Sequence, residues 1–186
     1  TAGACRRGDP GRMRLIRCHI ENFGKLSDFT CDFSEGCNTI CEENGWGKST
    51  LAAFLRVMLF GFRGEGKRDP LENERKRYTP WQKGVYGGEL LFESDGKQYS
   101  VRRTFGSKAA EDEFVLTDPV THLPSEDFSE KLGEELFQID AGSFERTTFI
   151  SQNDCETFVT DSINAKIGNL AENTDDINNF ETADKR

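Results

Sequence analysis

The stretch that decides the fold is residues 37–60, which read CNTICEENGWGKSTLAAFLRVMLF. Its first five residues are strand-like and predict a short strand over 37–41. A loop with two glycines follows. From Lys48 to Phe60 the chain is apolar nearly all round a helical projection, which predicts a buried helix. Strand, glycine-containing loop and helix in this order are the setting in which phosphate-binding loops occur.

The loop over residues 42–50, here called the glycine–lysine loop, carries the chemistry of a phosphate site. Its backbone N–H groups and those of the helix N-terminus can point at a phosphate, and glycines let the backbone approach closely. Lys48 would place its charge on the β and γ oxygens, Ser49 would ligate Mg²⁺, and Thr50 would bond the α-phosphate. The predicted phosphate site consists of Asn44, Gly45, Trp46, Gly47, Lys48, Ser49 and Thr50.

Glu42 departs from the usual form of this loop, because it stands where the full pattern has its first glycine. Glu43 follows, so two carboxylates enter a loop that is built to hold anions. Like charges repel, and we therefore expect Glu42 to weaken nucleotide binding unless its side chain points outward. The departure bears on affinity more than on the fold.

The remaining pattern predicts an α/β fold with a mixed sheet around one loop-bearing helix. Strands are predicted over 13–23, 29–33, 90–93, 99–105 and 113–117. The stretch 94–97, Ser-Asp-Gly-Lys, is a hairpin signal between two of them. Residues 61–88 predict a long exposed loop, in which Tyr78-Thr79-Pro80-Trp81 is a candidate anchor. Helices are predicted over 128–139 and 142–149.

Composition and charge narrow the function classes. The chain has 186 residues, a net charge of −9 and six cysteines without a CxxC pair, which indicates a reduced, cytoplasmic protein of one domain. No apolar run is long enough to span a bilayer. The charge balance is +3 up to residue 112 and −12 from residue 113. The basic residues over 63–77 predict either a contact with the DNA backbone or, as the alternative, a solvated loop. They are Arg63, Lys67, Arg68, Arg75, Lys76 and Arg77.

Several segments together resemble one known family. The opening MRLIRCHIENFG over 13–24, residues 33–36 and residues 40–50 look like the start of ABC-type ATPase heads of the SMC and double-strand-break-repair group, which are P-loop NTPases. Tyr78-Thr79-Pro80-Trp81 resembles a Tyr-x-Pro-Trp segment of large bacterial coiled-coil ATPases in that group. Phe149-Ile150-Ser151-Gln152 resembles its Q-loop.

The resemblance implies cofactors, site residues and domain bounds. ATP and Mg²⁺ would bind at Lys48 and Ser49. Gln152 would be catalytic, completing the Mg²⁺ shell and placing the attacking water, while Lys25, together with Asn22, would begin the adenine-side contacts. Residues 13–160 would form the N-terminal lobe of the head and 161–186 the root of a coiled-coil arm. Residues 1–12 are interpreted as a leader or cloning remnant.

The same family supplies its signature motif and Walker B acids only after the coiled coil, from a second lobe. The resemblance therefore implies a partner, either the missing C-terminal lobe or a second head in a dimer. The complete ATPase would bind Mg-ATP between two heads and drive DNA repair or chromosome transactions. The chain alone is expected to hydrolyse ATP poorly, because phosphoryl transfer needs groups from both lobes.

Two other interpretations stay open. The first is a non-catalytic nucleotide-binding or interaction module whose loop has degenerated through Glu42, and nucleotide affinity would separate it from an ATPase. The second is a compact P-loop kinase or GTPase that uses Asp118 as its Mg²⁺ acid. The chain has no base-recognition motif for that class, and the Phe-Ile-Ser-Gln segment argues against it.

Overall fold

The computed structural model describes residues 13–149, whose centre is one five-stranded sheet. The strand order is β2-β1-β3-β4-β5, and the bounds are β1 Met13–Phe23, β2 Leu26–Asp32, β3 Gly87–Ser94, β4 Lys97–Thr104 and β5 Glu113–Thr117. Each neighbouring pair is antiparallel. Over the described residues the sheet is therefore antiparallel rather than mixed, and the predicted β3–β4 hairpin is confirmed.

The helices of the described range are short apart from the first. They are α1 Lys48–Phe60, α2 Glu74–Arg77, α3 Leu132–Phe137 and α4 Ala141–Thr147, with a single 3₁₀ turn at Ala109–Glu111. None of the helices between residues 13 and 149 has the length and apolar character needed to cross a membrane.

The helix α1 packs on the sheet through its apolar side chains, as its sequence predicts. Phe54, Val57 and Met58 are fully buried. The ring of Phe54 meets Phe23 of β1 edge-on, with centroids 5.4 Å apart. A Cβ placed on Gly88 of β3 would lie 3.0 Å from the Phe54 ring, so the absence of a side chain there lets the helix lie close to the sheet.

The chain divides into two compact units at Leu136 and Phe137. The first contains the sheet, α1 and α2. In the described part of the second, Asp140 caps α4, because its Oδ1 accepts a hydrogen bond of 2.7 Å from Ser143 N. Phe137 and Phe144 pack together there, with ring centroids 5.0 Å apart.

Three predicted segments differ from the structure. Residues 61–88 are not one exposed loop, because they contain α2, the buried residues Asn73, Glu74 and Arg75, and the first two residues of β3. Residues 37–41 form no strand with any described residue and are exposed, although β2 and β5, at the ends of the described sheet, each have an edge without a neighbouring strand. The predicted helix over 128–139 shortens to α3, which ends before Gln138, where φ is +55°. The predicted coiled-coil root over 161–186 and the leader over 1–12 lie outside the described residues.

Candidate functional site

The glycine–lysine loop folds around the ammonium group of Lys48. Its Nζ donates hydrogen bonds to the carbonyl oxygens of Glu42 at 2.6 Å and Glu43 at 3.0 Å. The backbone N–H of Trp46 closes a turn on the same Glu43 oxygen at 3.2 Å. Both glutamates are exposed and contribute backbone oxygens, not carboxylates, to the lysine. The loop backbone therefore holds the positive charge of Lys48 beside residues 42 and 43.

Both glycines of the loop adopt the left-handed backbone region. Gly45 has φ +84° and Gly47 has φ +127°. Nothing lies within 4 Å of a Cβ placed on Gly45, whereas a Cβ on Gly47 would lie 3.1 Å from Leu26 Cδ2. Gly45 thus leaves open space beside the loop backbone, and Gly47 lets the loop pass over the β1–β2 hairpin.

The N-terminus of α1 begins directly after Gly47 and has no side-chain cap. Its first turn contains no acidic residue, and Leu51 N donates to Gly47 O at 2.9 Å to start the helical pattern. The N–H groups at the start of a helix have no intrahelical acceptor and carry a partial positive charge. Together with Lys48, this arrangement can hold an anion.

The β1–β2 hairpin holds the loop in place. Phe29 of β2 contacts Trp46 edge-on, with ring centroids 5.3 Å apart. The turn of the hairpin continues to the segment after α2, because Gly24 N donates to Tyr78 O at 2.7 Å. The hairpin therefore lies against the glycine–lysine loop and the Tyr78 segment at once.

A cleft of about 360 Å³ opens beside the start of α1, a size at the lower end of small-molecule sites. One wall is formed by the hairpin turn and the first turn of α1, through Gly24, Lys25, Ser49 and Thr50. The last residue of α2 and the residues that follow it form the other wall. We call this space the α1 cleft.

The far wall of the α1 cleft consists of Arg77, Tyr78, Thr79, Trp81 and Gln82. Tyr78 is held from behind, since its ring stacks on Phe23 with centroids 4.9 Å apart. Thr79 Oγ1 donates to Arg75 O at 2.7 Å. The segment is therefore tied to both β1 and α2.

The structure brings together some predicted site residues and separates others. Lys25 borders the same cleft as Ser49 and Thr50. Asn22 is buried, and its amide donates to Val85 O at 2.9 Å and accepts from Ser27 Oγ at 2.8 Å, so it has a structural role. Gln152 lies outside the described residues.

Asp118 has a structural environment and not that of a metal ligand. Its Oδ1 accepts hydrogen bonds from Val120 N at 2.8 Å and Thr121 N at 2.9 Å. The backbone N–H groups of Thr121 and Val120 hold the pKa of this carboxyl below its usual range. The carboxylate closes a turn after β5, an environment that argues against its use as the Mg²⁺ acid of a compact kinase or GTPase.

The predicted DNA contact at Arg75 is wrong, because this side chain is buried among acidic partners. Its side chain is only 7% exposed, and its guanidinium forms two hydrogen bonds with Asp112, of 2.7 and 2.6 Å. It also pairs with Glu65 and lies 4.6 Å from the centroid of Phe62. Arg75 therefore fastens α2 to the β4–β5 connection and cannot reach a DNA backbone.

The other cations over 63–77 have different environments. Arg63 pairs with Glu74 at 3.5 Å. Arg63 stays exposed in spite of this pair. Lys76 is exposed although its Nζ donates to Arg68 O at 3.2 Å. Apart from Arg77, which lines the α1 cleft, the cations over 63–77 that are exposed and pair with no acid among the described residues are Lys67, Arg68 and Lys76.

Sequence reasoning missed a buried ion pair beneath α2. Arg56 of α1 is 1% exposed and pairs with Glu74, whose side chain is 7% exposed. The same carboxylate accepts from Arg63 N at 3.0 Å. The available signal was a single arginine inside the otherwise apolar helix α1, but its partner 18 positions later could not be identified from sequence.

A metal would find few protein ligands here. Within residues 13–149, no three His, Cys, Asp or Glu side chains are grouped closely enough to hold an ion. Mg²⁺ usually keeps several waters and binds through one or two protein groups plus substrate phosphates. The exposed Ser49 hydroxyl beside the loop fits that kind of shared site.

The comparisons with known proteins agree with this geometry. A family model described as an AAA domain (AAA_23) matches residues 17–184. The chain belongs to this AAA domain family. It is 26% identical over 152 residues to the DNA double-strand break repair Rad50 ATPase of Thermoplasma volcanium, covering 80% of this chain and 16% of that protein.

Two further relatives match over different lengths. The Rad50 ATPase of Methanococcus maripaludis is 27% identical over 147 residues, which cover 79% of this chain and 14% of that protein. The uncharacterized protein YhaN of Bacillus subtilis is 38% identical over 90 residues, which cover 48% and 8%. The AAA domain chain thus spans a small part of each relative. These matches confirm the resemblance to the N-terminal region of SMC/Rad50-like AAA ATPases.

Proposed function

We propose that this chain is the ATP-binding half of an SMC-like ATPase, which in its complete form hydrolyses ATP to drive DNA repair or chromosome transactions. The observation that carries the proposal is the uncapped N-terminus of α1 with the Lys48 ammonium at the same point. Backbone donors and a fixed cation at one place favour a phosphate chain. The Rad50 names of two relatives support ATP as the nucleotide and DNA repair as the process.

Each residue of the glycine–lysine loop has a role in this proposal. Lys48 would exchange the carbonyl oxygens of Glu42 and Glu43 for phosphate oxygens. The N–H groups at the start of α1 would bind the same phosphates, and the open face of Gly45 would let them approach. Ser49 would offer its hydroxyl to Mg²⁺, and the metal would neutralise phosphate charge. Asn44, Trp46 and Thr50 complete the loop.

Hydrolysis would depend on groups beyond the described residues. Gln152 keeps its proposed role in placing the attacking water. A C-terminal lobe or a second head would supply the remaining acids. Residues 37–41, which are exposed and pair with no described strand, are the proposed contact for that lobe. The proposed arm at 161–186 would connect the two lobes.

Calorimetric titration of the 186-residue chain with Mg-ATP tests this function. We expect the unaltered chain to bind Mg-ATP and Lys48→Ala to bind it at least tenfold more weakly, because the cation at the loop is removed. The matched control is Lys108→Ala, an exposed lysine in the β4–β5 connection, which should bind as the unaltered chain does.

The same samples test the enzymatic side of the proposal. Steady-state hydrolysis by the isolated chain should not exceed that of Lys48→Ala, because the chain supplies only one part of the catalytic groups. Turnover clearly above the variant would contradict an ATPase that needs a second lobe. Equal binding by the unaltered chain and Lys48→Ala would contradict the phosphate site itself.

A second candidate is a non-catalytic nucleotide-binding or interaction module. The specific observation in its favour is Glu42, an exposed acid at the edge of the loop where the usual pattern has glycine. For the head joined to its second lobe, nucleotide binding without turnover would favour a non-catalytic nucleotide-binding module over an ATPase, and undetectable nucleotide binding would favour an interaction module.

A further inference from the structure

Trp81 is the most exposed large apolar side chain among the described residues, with 98% of its surface accessible. It lies in the far wall of the α1 cleft, opposite the first turn of α1. A large indole with this much water contact gains little from the fold itself. Ser49 and Thr50 line the same cleft, so a ligand bound there would be within reach of the indole.

A nucleotide whose phosphates lie on the glycine–lysine loop would extend into this cleft. If phosphates lie on the glycine–lysine loop, the α-phosphate is at Thr50, and Thr50 borders the cleft. The nucleoside joined to that phosphate then has the cleft as its nearest space. The volume of about 360 Å³ is sufficient for a small ligand group.

The rings and hydroxyls next to Trp81 are already engaged. Tyr78 stacks on Phe23 at 4.9 Å, and the guanidinium of Arg77 lies 5.5 Å from the Tyr78 centroid. The hydroxyl of Thr79 donates to Arg75 O. Tyr78 therefore forms the fixed base of this wall, and Trp81 offers the aromatic face that the protein leaves uncovered.

We infer that Trp81 stacks on the base of the bound nucleotide and closes the α1 cleft over it. This inference rests on the proposed function, since it takes the phosphates to lie on the glycine–lysine loop. Stacking reads the flat face of a base and not its edge, so it adds affinity without requiring hydrogen bonds. Trp81 would then contribute to nucleotide affinity but not to the recognition of phosphate.

The test compares Mg-ATP with magnesium tripolyphosphate, which has the phosphates but no base, by calorimetric titration of the 186-residue chain. Trp81→Ala should weaken Mg-ATP binding about tenfold and leave tripolyphosphate binding unchanged, as expected for the loss of one base–aromatic stack. Trp81→Phe should restore part of the Mg-ATP affinity. The control is Leu71→Ala, since Leu71 is 77% exposed and does not border the cleft.

The outcomes separate this inference from the proposed function. Equal Mg-ATP affinity of the unaltered chain and Trp81→Ala would overturn the stacking role while leaving the phosphate site in place. An equal loss for both ligands would also overturn it, because the indole would then support the fold or the loop. Binding of neither ligand by the unaltered chain would overturn the proposed function together with the inference.

Discussion

At the scale of single residues, Glu42 combines two opposite effects. Its backbone carbonyl holds the Lys48 ammonium at 2.6 Å, and this contact needs no particular side chain. Its carboxylate adds a negative charge to the edge of a site for anions. Substitution can therefore separate the two effects, because the carbonyl remains in every variant.

We predict that Glu42→Gly and Glu42→Gln both bind Mg-ATP more tightly than the unaltered chain. Removal of a like charge at the edge of the site is worth on the order of 1 kcal/mol at a surface-like dielectric, or about fivefold in affinity. Titration with a non-hydrolysable ATP analogue measures the change. Tighter binding by Glu42→Gly alone would indicate that the backbone path, and not the charge, limits affinity.

At the scale of elements, the four-residue helix α2 depends on ion pairs and not on its own length. Isolated helices this short are not stable. Glu74 connects α2 to α1 through Arg56, and Arg75 connects it to the β4–β5 connection through Asp112. Burial raises the pKa of Tyr86, whose hydroxyl donates to Arg75 O at 3.2 Å, so a neutral phenol completes the contact.

We predict that Glu74→Gln lowers the free energy of unfolding by about 3 kcal/mol, because it removes the carboxylate that pairs with the buried guanidinium of Arg56. Urea denaturation followed by circular dichroism measures the loss. Glu72→Gln is the control, since Glu72 is exposed two positions earlier and should change stability by less than about 0.5 kcal/mol. Similar losses in the two variants would contradict a stabilising role of the buried pair.

The same elements explain how far the sequence could predict the structure. The apolar run of α1 and the alternating strands β1 to β5 carry local patterns, and they were located correctly within a few residues. The charged run Glu74–Arg77 looks like a solvated surface, because its partners at 56, 65 and 112 are distant in sequence. Residues 37–41 have strand character, but pairing depends on a neighbour that no local pattern describes. Gln152 and the arm over 161–186 stay predictions.

At the scale of the whole molecule, fewer cations in the first part of the chain are available to a DNA backbone than the charge count suggests. Arg75 and Arg63 pair with acids, and Arg77 borders the α1 cleft. Lys67, Arg68 and Lys76 remain as exposed cations for a DNA backbone. Any DNA contact would therefore use only these three cations and not all six basic residues over 63–77.

We predict that changing Lys67, Arg68 and Lys76 together to Ala weakens binding of duplex DNA at low salt and reduces its salt dependence by about one counterion per cation. Fluorescence anisotropy at two salt concentrations measures both quantities. The head joined to its second lobe is the appropriate sample, with Lys108→Ala as control. If neither the triple change nor salt alters binding, the loop is a solvated surface and not a DNA site.

The turn at Gly24 has a consequence for how the protein folds. Its φ is +57°, and a Cβ there would lie 3.1 Å from a methyl group of Thr50 and 3.2 Å from the ring of Tyr78. Three stretches that are distant along the chain thus meet within the space of one methyl group. The chain entropy of bringing such distant stretches together is lost before their contacts contribute any stability. We therefore expect the glycine–lysine loop to acquire its shape only after the hairpin, α1 and the Tyr78 segment have packed together.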